Sequence, residues 1–209
     1  MLTRGNELTT LNTDSFAPIN VFVNNVDFDD LKVLRVIKDS AIEAVDEPTY
    51  ARLIGSEFHN GTIEIKVLSK LLPNAPEYAR GFIGVAFRID ENNMNFESFY
   101  IRPTNGRCDD QIRRNRSAQY FSYPNYKFER FRTECPGKYE AYADMGLGEW
   151  IDLKIEVTDG CAKLYINHSS QPVLMVNDLK HGSDEKGAIG LWVDIGTEGF
   201  FKDLKTTIY

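Results

Sequence analysis

Arginine side chains and aromatic rings are interleaved in one stretch of this sequence. Residues 101–133, here called the basic segment, hold eight Lys or Arg against three Asp or Glu, a local balance of +5 in a chain of net charge −7. Guanidinium groups bind carboxylate and phosphate through paired hydrogen bonds, and the segment's six aromatic rings offer flat apolar faces. The segment is therefore our first candidate for a binding site. The alternative is that its rings form a satellite core and its arginines bond only the local backbone.

Strand alternation indicates which side chains near this segment face outward. Phe99 and Ile101 share one face of a strand, whereas Tyr100 and Arg102 share the other. The same alternation places Trp192 on an outer face, although a position in a core between sheet and loop is equally open. The predicted ligand-binding residues are Tyr100, Arg102, Arg107, Arg113, Arg114, Gln119, Tyr120, Trp192 and Asp194.

Acid and base chemistry would fall to three carboxyl groups near these residues. Asp109, Asp110 and Glu97 are the candidate catalytic residues, because they are acids near the proposed binding residues and carboxyl groups can act as general acid or base. Adjacent acids in a turn more often cap a loop or bind Ca²⁺, so both structural alternatives stay open. We expect no cofactor other than such a structural Ca²⁺.

Strand periodicity runs through nearly the whole chain. Residues 61–67, 83–89 and 151–157 alternate apolar and polar side chains, which predicts strands with one buried and one exposed face. Asp159-Gly160 separates two alternating runs and predicts a hairpin. Further strands are expected at 19–23, 31–37, 162–167, 173–176, 188–195 and 200–208, and a loop at 40–47. The fold class is all-β, an antiparallel two-sheet β-sandwich.

The 209 residues suit one domain, which we place at 18–209 after a loose segment at 1–17. The acidic net charge argues against nucleic acid or an anionic membrane as a partner, and no apolar run reaches membrane-spanning length. The sequence as given begins without a secretory signal, which predicts a cytoplasmic protein, or a periplasmic or secreted one if a signal has been removed. Three scattered cysteines favour free thiols, with a bridge between Cys108 and Cys135 left open.

Several motifs resemble a known family. The sequence is similar to the concanavalin A-like (laminin G-like) jelly-roll family, including 3-keto-disaccharide hydrolases (domain of unknown function 1080), and to proteins related by fold to family 16 glycoside hydrolases. The similarity extends over residues 19–208 and is carried by residues 55–64, GFIGVAFR at 81–88, FYIRP at 99–103, WIDLKI at 150–155, 164–167, 187–192 and 201–204.

The resemblance implies two curved sheets with a concave face suited to an oligosaccharide or polysaccharide. A glycan, with an anionic glycan among the options, would then stack on Tyr100 and Trp192 and meet Arg102, Gln119 and Asp194. The Glu-x-Asp-x-x-Glu pattern of family 16 enzymes is missing from the sequence, so whether the protein is an enzyme stays open. The alternatives are a glycoside hydrolase or polysaccharide lyase on the same scaffold, and a module that binds a protein, with a homodimer among the options, or single-stranded nucleic acid.

Overall fold

The computed structural model describes residues 4–9 and 11–209. Its strands are β1 (Arg4–Thr9), β2 (Phe16–Ile19), β3 (Val21–Phe28), β4 (Leu31–Lys38), β5 (Tyr50–Leu53), β6 (Gly61–Leu71), β7 (Ile83–Ile89), β8 (Phe96–Ile101), β9 (Ala118–Tyr123), β10 (Glu140–Ala141), β11 (Ile151–Thr158), β12 (Cys161–Ile166), β13 (Leu174–Val176), β14 (Ala188–Val193) and β15 (Thr197–Ile208). The helices are short: α1 (Pro103–Gly106), α2 (Gln111–Arg114) and α3 (Phe128–Glu134).

These strands form two antiparallel sheets, which confirms the predicted β-sandwich. One sheet has eight strands, in the order β13-β12-β11-β6-β15-β4-β3 with β1 added beside β15. The other has seven, in the order β10-β9-β8-β7-β14-β5-β2. The alternation predicted for β6 and β11 is confirmed, since Ile63, Ile65, Leu153 and Ile155 are buried between the sheets. The hairpin at Asp159-Gly160 joins β11 to β12 as predicted.

The first residues take part in both sheets. β1 pairs with β15, and β2 pairs with β5. The segment that the sequence analysis assigned to a loose end therefore contributes strands, because the edges of β15 and β5 offer backbone partners to it. β1 has one apolar side chain in six residues and β2 is only four residues long, so neither gives a periodic signal.

The central strands of the seven-stranded sheet depart from the predicted one-sided burial. Every residue of β7, β8 and β14 is buried, because loops, residues 39–49 among them, cover the outer face of this sheet. The alternation is also wrong at Ile89. Arg88 has a left-handed backbone (φ 54°), which turns Ile89 to the outer side, where it packs with Ala86.

The basic segment is more regular than a long loop. It contains α1, α2, all of α3 but its last residue, and β9, between β8 and β10. Residues 40–47 form a loop, as predicted. Cys108, Cys135 and Cys161 are free thiols. Among residues 4–9 and 11–209, no helix has the length and apolar character needed to cross a membrane.

Candidate functional site

A second apolar cluster lies on the outer face of the seven-stranded sheet. This outer cluster consists of Tyr50, Ala86, Ile89, Phe96, Tyr100, Phe121, Ala188 and Trp192. Residues 39–49, here called the cover loop, close over it. The Trp192 indole N–H donates to the carbonyl oxygen of Glu47 at 2.9 Å, and the Thr49 hydroxyl donates to the Val193 carbonyl at 2.6 Å. Trp192 is therefore fully buried between the sheet and the cover loop. This is the core position that the sequence analysis left open for Trp192.

The N-terminal end of α3 fastens the cover loop from the other side. Lys127 Nζ donates to the carbonyl oxygen of Val45 at 3.2 Å and forms an ion pair with Glu47. The backbone N–H of Phe128 donates to Asp46 Oδ2 at 2.9 Å. These contacts join residues about eighty positions apart in the sequence, so the position of the cover loop depends on the tertiary fold.

Beside the covered part of this face a cavity of about 250 Å³ stays open. We call it the arginine cavity. Five arginines line it: Arg80, Arg102, Arg113, Arg116 and Arg132. The remaining walls are formed by four aromatic residues, Tyr78, Phe82, Tyr100 and Phe128, and by Val45, Asp46, Asn105 and Asp194.

Three of these arginines share one carboxylate. Glu140, at the edge strand β10, lies 2.6 Å from Arg132, 3.4 Å from Arg102 and 3.6 Å from Arg116. Arg102 is held further by the Tyr100 hydroxyl at 2.6 Å. One negative charge among three guanidinium groups leaves this wall of the cavity positive.

Arg80 and Arg113 have no acidic partner at all among the described residues within ion-pair distance. Arg80 donates through Nη1 to the carbonyl oxygens of Glu77 and Ala79, and Arg113 donates to the amide oxygen of Asn105 at 3.3 Å. Burial and, after it, the charge of Arg113 lower the pKa of Arg80. The cavity thus holds two cations that repel each other, which is an arrangement that an anion would stabilise.

Two carboxyl groups face these arginines. Asp194 Oδ1 is paired with Lys38 at 2.5 Å, with both side chains almost fully buried, and Asp194 Oδ2 accepts the N–H of Asp46 at 2.9 Å. Burial and the charge of Asp194 raise the pKa of Asp46 from 3.8 to about 6. The cavity therefore contains a carboxyl group, that of Asp46, that gains and loses a proton near pH 6.

Four residues predicted from the sequence lie together in this cavity: Tyr100, Arg102, Arg113 and Asp194. Gln119 lies behind them, fully buried, where its amide oxygen accepts from Arg102 at 3.2 Å. Trp192 supports Tyr100 from below, with ring centroids 4.8 Å apart. The strand alternation that placed these side chains on the outer face is confirmed at Tyr100, Arg102, Trp192 and Asp194.

Other predicted residues lie away from the cavity. Glu97 and Tyr120 point between the sheets, where the Tyr120 hydroxyl donates to Glu97 Oε2 at 2.6 Å. Arg107 is exposed and paired with Asp144 and Glu149. Arg114 stacks on Tyr142.

Asp109 and Asp110 are exposed as well. The Asp110 carboxylate accepts the backbone N–H groups of Ile112 and Arg113 and so caps α2, which is the loop-cap alternative considered for this pair. Among the residues that the structure describes, no group of three or more His, Cys, Asp or Glu side chains is placed to hold a metal ion.

Sequence reasoning missed Asp46, Arg80 and the aromatic residues Tyr78, Phe82 and Phe128. Arg116 and Arg132 were counted in the charge of the basic segment but not selected. Asp46 and Arg80 come from loops without periodicity, and only long-range contacts bring them to the sheet. The local charge of the basic segment was the signal for the arginines, and the segment contains four of the five arginines in the cavity.

A larger groove of about 590 Å³ crosses the outer face of the eight-stranded sheet. Six of its charged side chains form the pairs Lys66–Asp152, Lys154–Glu156 and Lys205–Glu64, and Asp203 adds a carboxylate. A surface whose charges are already paired offers little to a charged ligand. The arginine cavity is therefore the stronger candidate site.

The fold is similar to those of several solved structures. The carbohydrate binding module CBM66 from Bacillus subtilis matches with a TM-score of 0.57 and 14% identity, over 91% of this chain and 94% of that one. A Bacillus subtilis protein of unknown function with a galectin-like fold matches with a TM-score of 0.58 and 11% identity, over 99% and 96%. A putative glycosyl hydrolase from Parabacteroides distasonis matches with a TM-score of 0.55 and 12% identity, over 94% and 89%.

At such low identity these similarities show the fold alone, a two-sheet antiparallel β-sandwich. No protein-family model matches the sequence, and no curated protein matches it.

Proposed function

We propose that this protein binds a glycan that carries an anionic group, and that the arginine cavity is its binding site. The observation that carries the proposal is the pair Arg80 and Arg113, two neighbouring cavity arginines that form no ion pair with any acid the structure describes. Arg80 keeps Nε and Nη2 free of hydrogen bonds to described residues, and Arg113 keeps Nη1 free. These donors suit a carboxylate or sulfate group on a sugar.

The remaining walls favour a sugar as the carrier of that charge. Tyr78 is 55% exposed at the cavity, so its ring is available to stack on the C–H face of a sugar ring. Tyr100, Arg102, Asn105 and Asp194 add polar groups that could meet hydroxyls. The fold similarity to a carbohydrate binding module supports this choice of ligand class.

Hydrolysis is a second candidate, because Asp46 and Asp194 place two carboxyl groups in the same cavity. It would also agree with the sequence resemblance to 3-keto-disaccharide hydrolases. Asp46 has the raised pKa of a general acid. However, the backbone N–H of Asp46 donates to the Asp194 carboxylate, so both carboxyl groups lie on the same side of the cavity. Acid and nucleophile normally flank the scissile bond. We therefore favour binding.

A glycan array with uronic-acid, sulfated and neutral oligosaccharides tests the proposal. We expect wild type to bind anionic glycans. The variants Arg80→Ala and Arg113→Ala should each weaken binding by about ten- to a hundredfold, since one charge-assisted hydrogen bond contributes about 1.5–3 kcal/mol. Arg130→Ala is the matched control, because Arg130 belongs to the same segment but is exposed and paired with Glu134.

Each alternative has its own outcome in that experiment. Binding of neutral glycans alone would contradict the anionic part of the proposal. Binding of no glycan on the array would contradict the carbohydrate proposal as a whole. Product analysis on the glycans that bind separates the enzyme from the binding protein: release of shorter sugars, lost in Asp46→Asn, would establish hydrolysis or elimination instead.

A further inference from the structure

Asp46 lies in the arginine cavity with one carboxyl oxygen unused. The residue is 1% exposed. Its Oδ2 accepts the N–H of Phe128, whereas Oδ1 accepts no hydrogen bond from the described residues. Asp46 lines the cavity, so Oδ1 is open to whatever the cavity holds. Oδ1 is therefore the cavity atom at which a proton, or a donor from a ligand, would be stabilised.

The surroundings of Asp46 explain why the pKa of its carboxyl group is raised. The neighbouring carboxyl group of Asp194 opposes its ionisation, and so does burial; together they raise the pKa of Asp46 to about 6. The N–H of Phe128 and the charges of Arg102 and Lys127 act in the opposite direction, but more weakly.

The charged and titratable groups that face Asp46 come from several elements. They are Asp194 at the end of β14, Lys38 in β4, Tyr100 and Arg102 at the end of β8, Lys127 and Arg132 around α3, and Glu47 in the cover loop. Burial raises the pKa of Tyr100 well above its ordinary value, so Tyr100 stays neutral. No histidine is among the described residues that line the cavity.

We propose that the arginine cavity takes up a proton together with an anionic ligand, and that Asp46 Oδ1 receives it. This inference rests on the proposed function. Asp194 already places one negative charge beside Asp46, and a bound anion adds a second. The added charge raises the free energy of the ionised Asp46 carboxylate but not that of the neutral carboxylic acid. A proton from solvent then forms an O–H bond at Oδ1, and that O–H can donate to an oxygen of the ligand.

Linkage makes the effect reciprocal. If an anion strengthens proton binding at Asp46, then a lower pH strengthens anion binding by the same factor. A neutral sugar lacks this coupling. Asp46 would thus determine how strongly the cavity prefers charged over uncharged glycans, and that preference would increase as the pH falls below about 7.

Calorimetric titrations with inorganic sulfate, glucuronic acid and glucose at pH 5.5 and 7.5 test this inference. Sulfate and glucuronate stay ionised over this range, so neither supplies a proton of its own. We expect wild type to bind both anions about sixfold more tightly at pH 5.5 than at pH 7.5, which is what one pKa unit of coupling gives between these two pH values. The heat should depend on the ionisation enthalpy of the buffer, as proton uptake requires.

The variant Asp46→Asn should bind the same anions without pH dependence and without proton uptake. Asparagine tolerates the left-handed backbone of this position (φ 53°) and resembles the protonated acid. Glu43→Gln is the matched control, because Glu43 is an exposed carboxylate of the same loop, and it should behave as wild type. Carbon-13 NMR of the wild-type Asp46 carboxyl group should show its pKa rising when sulfate is added.

The outcomes distinguish this inference from the proposed function. Anion binding that is equal at both pH values, or a carboxyl pKa that sulfate leaves unchanged, overturns the role of Asp46 and leaves the proposed function standing. No anion binding at either pH overturns both.

Discussion

Asp46 combines burial, a neighbouring carboxyl group and a left-handed backbone in one residue. Folding moves its pKa from 3.8 to about 6, so between these values the folded state binds more protons than the unfolded state. The free energy of unfolding must then fall as the pH rises from about 4 to 6. At 1.36 kcal/mol per pKa unit the full effect is about 3 kcal/mol, opposite in sign to that of an aspartate stabilised by a cation.

We expect Asp46→Asn to remove this contribution. Relative to wild type, the variant should gain about 3 kcal/mol of stability between pH 3.5 and pH 7.5, because wild type alone must ionise a buried group. Urea unfolding at both pH values measures the difference, and Glu43→Gln should follow wild type throughout. Identical pH profiles for wild type and Asp46→Asn would show that this carboxyl group titrates normally.

At the scale of elements, β7 controls how closely the strands beneath the cavity pack. Gly84 pairs with Tyr100 on one side and with Trp192 on the other. A Cβ at Gly84 would lie 2.1 Å from the carbonyl oxygen of Phe99 and 2.5 Å from the Cα of Tyr100. The absence of a side chain lets the Tyr100 and Trp192 rings meet above the glycine, and this contact supports the floor of the cavity.

Gly84→Ala should therefore displace β8 and destabilise the protein by about 1–3 kcal/mol, the usual effect of overpacking. It should also weaken glycan binding, because Tyr100 and Arg102 move with β8. Gly160→Ala is the control, since a Cβ there meets no atom within 4 Å, and it should leave both properties nearly unchanged. Denaturant unfolding of the two variants provides the comparison, and equal stabilities would contradict the close approach.

At the scale of the whole molecule, one interior core joins the two sheets. It contains Ile65 and Leu153 from one sheet and Val85 and Leu191 from the other. The two tryptophans of the chain lie outside this core on opposite faces. Trp150 packs against Phe28 on the eight-stranded sheet, and Trp192 lies in the outer cluster of the seven-stranded sheet.

We expect the sandwich to unfold as one cooperative unit, as the single domain predicted for residues 18–209 requires. In Trp150→Phe and in Trp192→Phe, the remaining tryptophan reports on one face. Within each variant its fluorescence should give the same unfolding midpoint as far-ultraviolet circular dichroism. Separate midpoints would mean that the two sheets unfold independently.

Much of the candidate site could be predicted from strand alternation. The period of two fixes which side chains share a face, and it placed Tyr100, Arg102, Trp192 and Asp194 together on the outer face correctly. It could not show that Trp192 is covered, because the cover loop reaches it through a contact between residues 145 positions apart. Nor could it find Asp46, which lies in that aperiodic loop.

The sequence by itself determined the all-β class, the hairpin at Asp159-Gly160 and the positive charge of the basic segment. Each depends on residues close together in the chain. Only the tertiary structure decided which arginines converge on the cavity, that Glu97 and Tyr120 turn inward to each other, and that Asp46 and Asp194 become neighbours. Those outcomes depend on strand order and loop packing, in which segments distant in the sequence compete to cover the same surface. A local sequence pattern carries no information about which segment covers that surface.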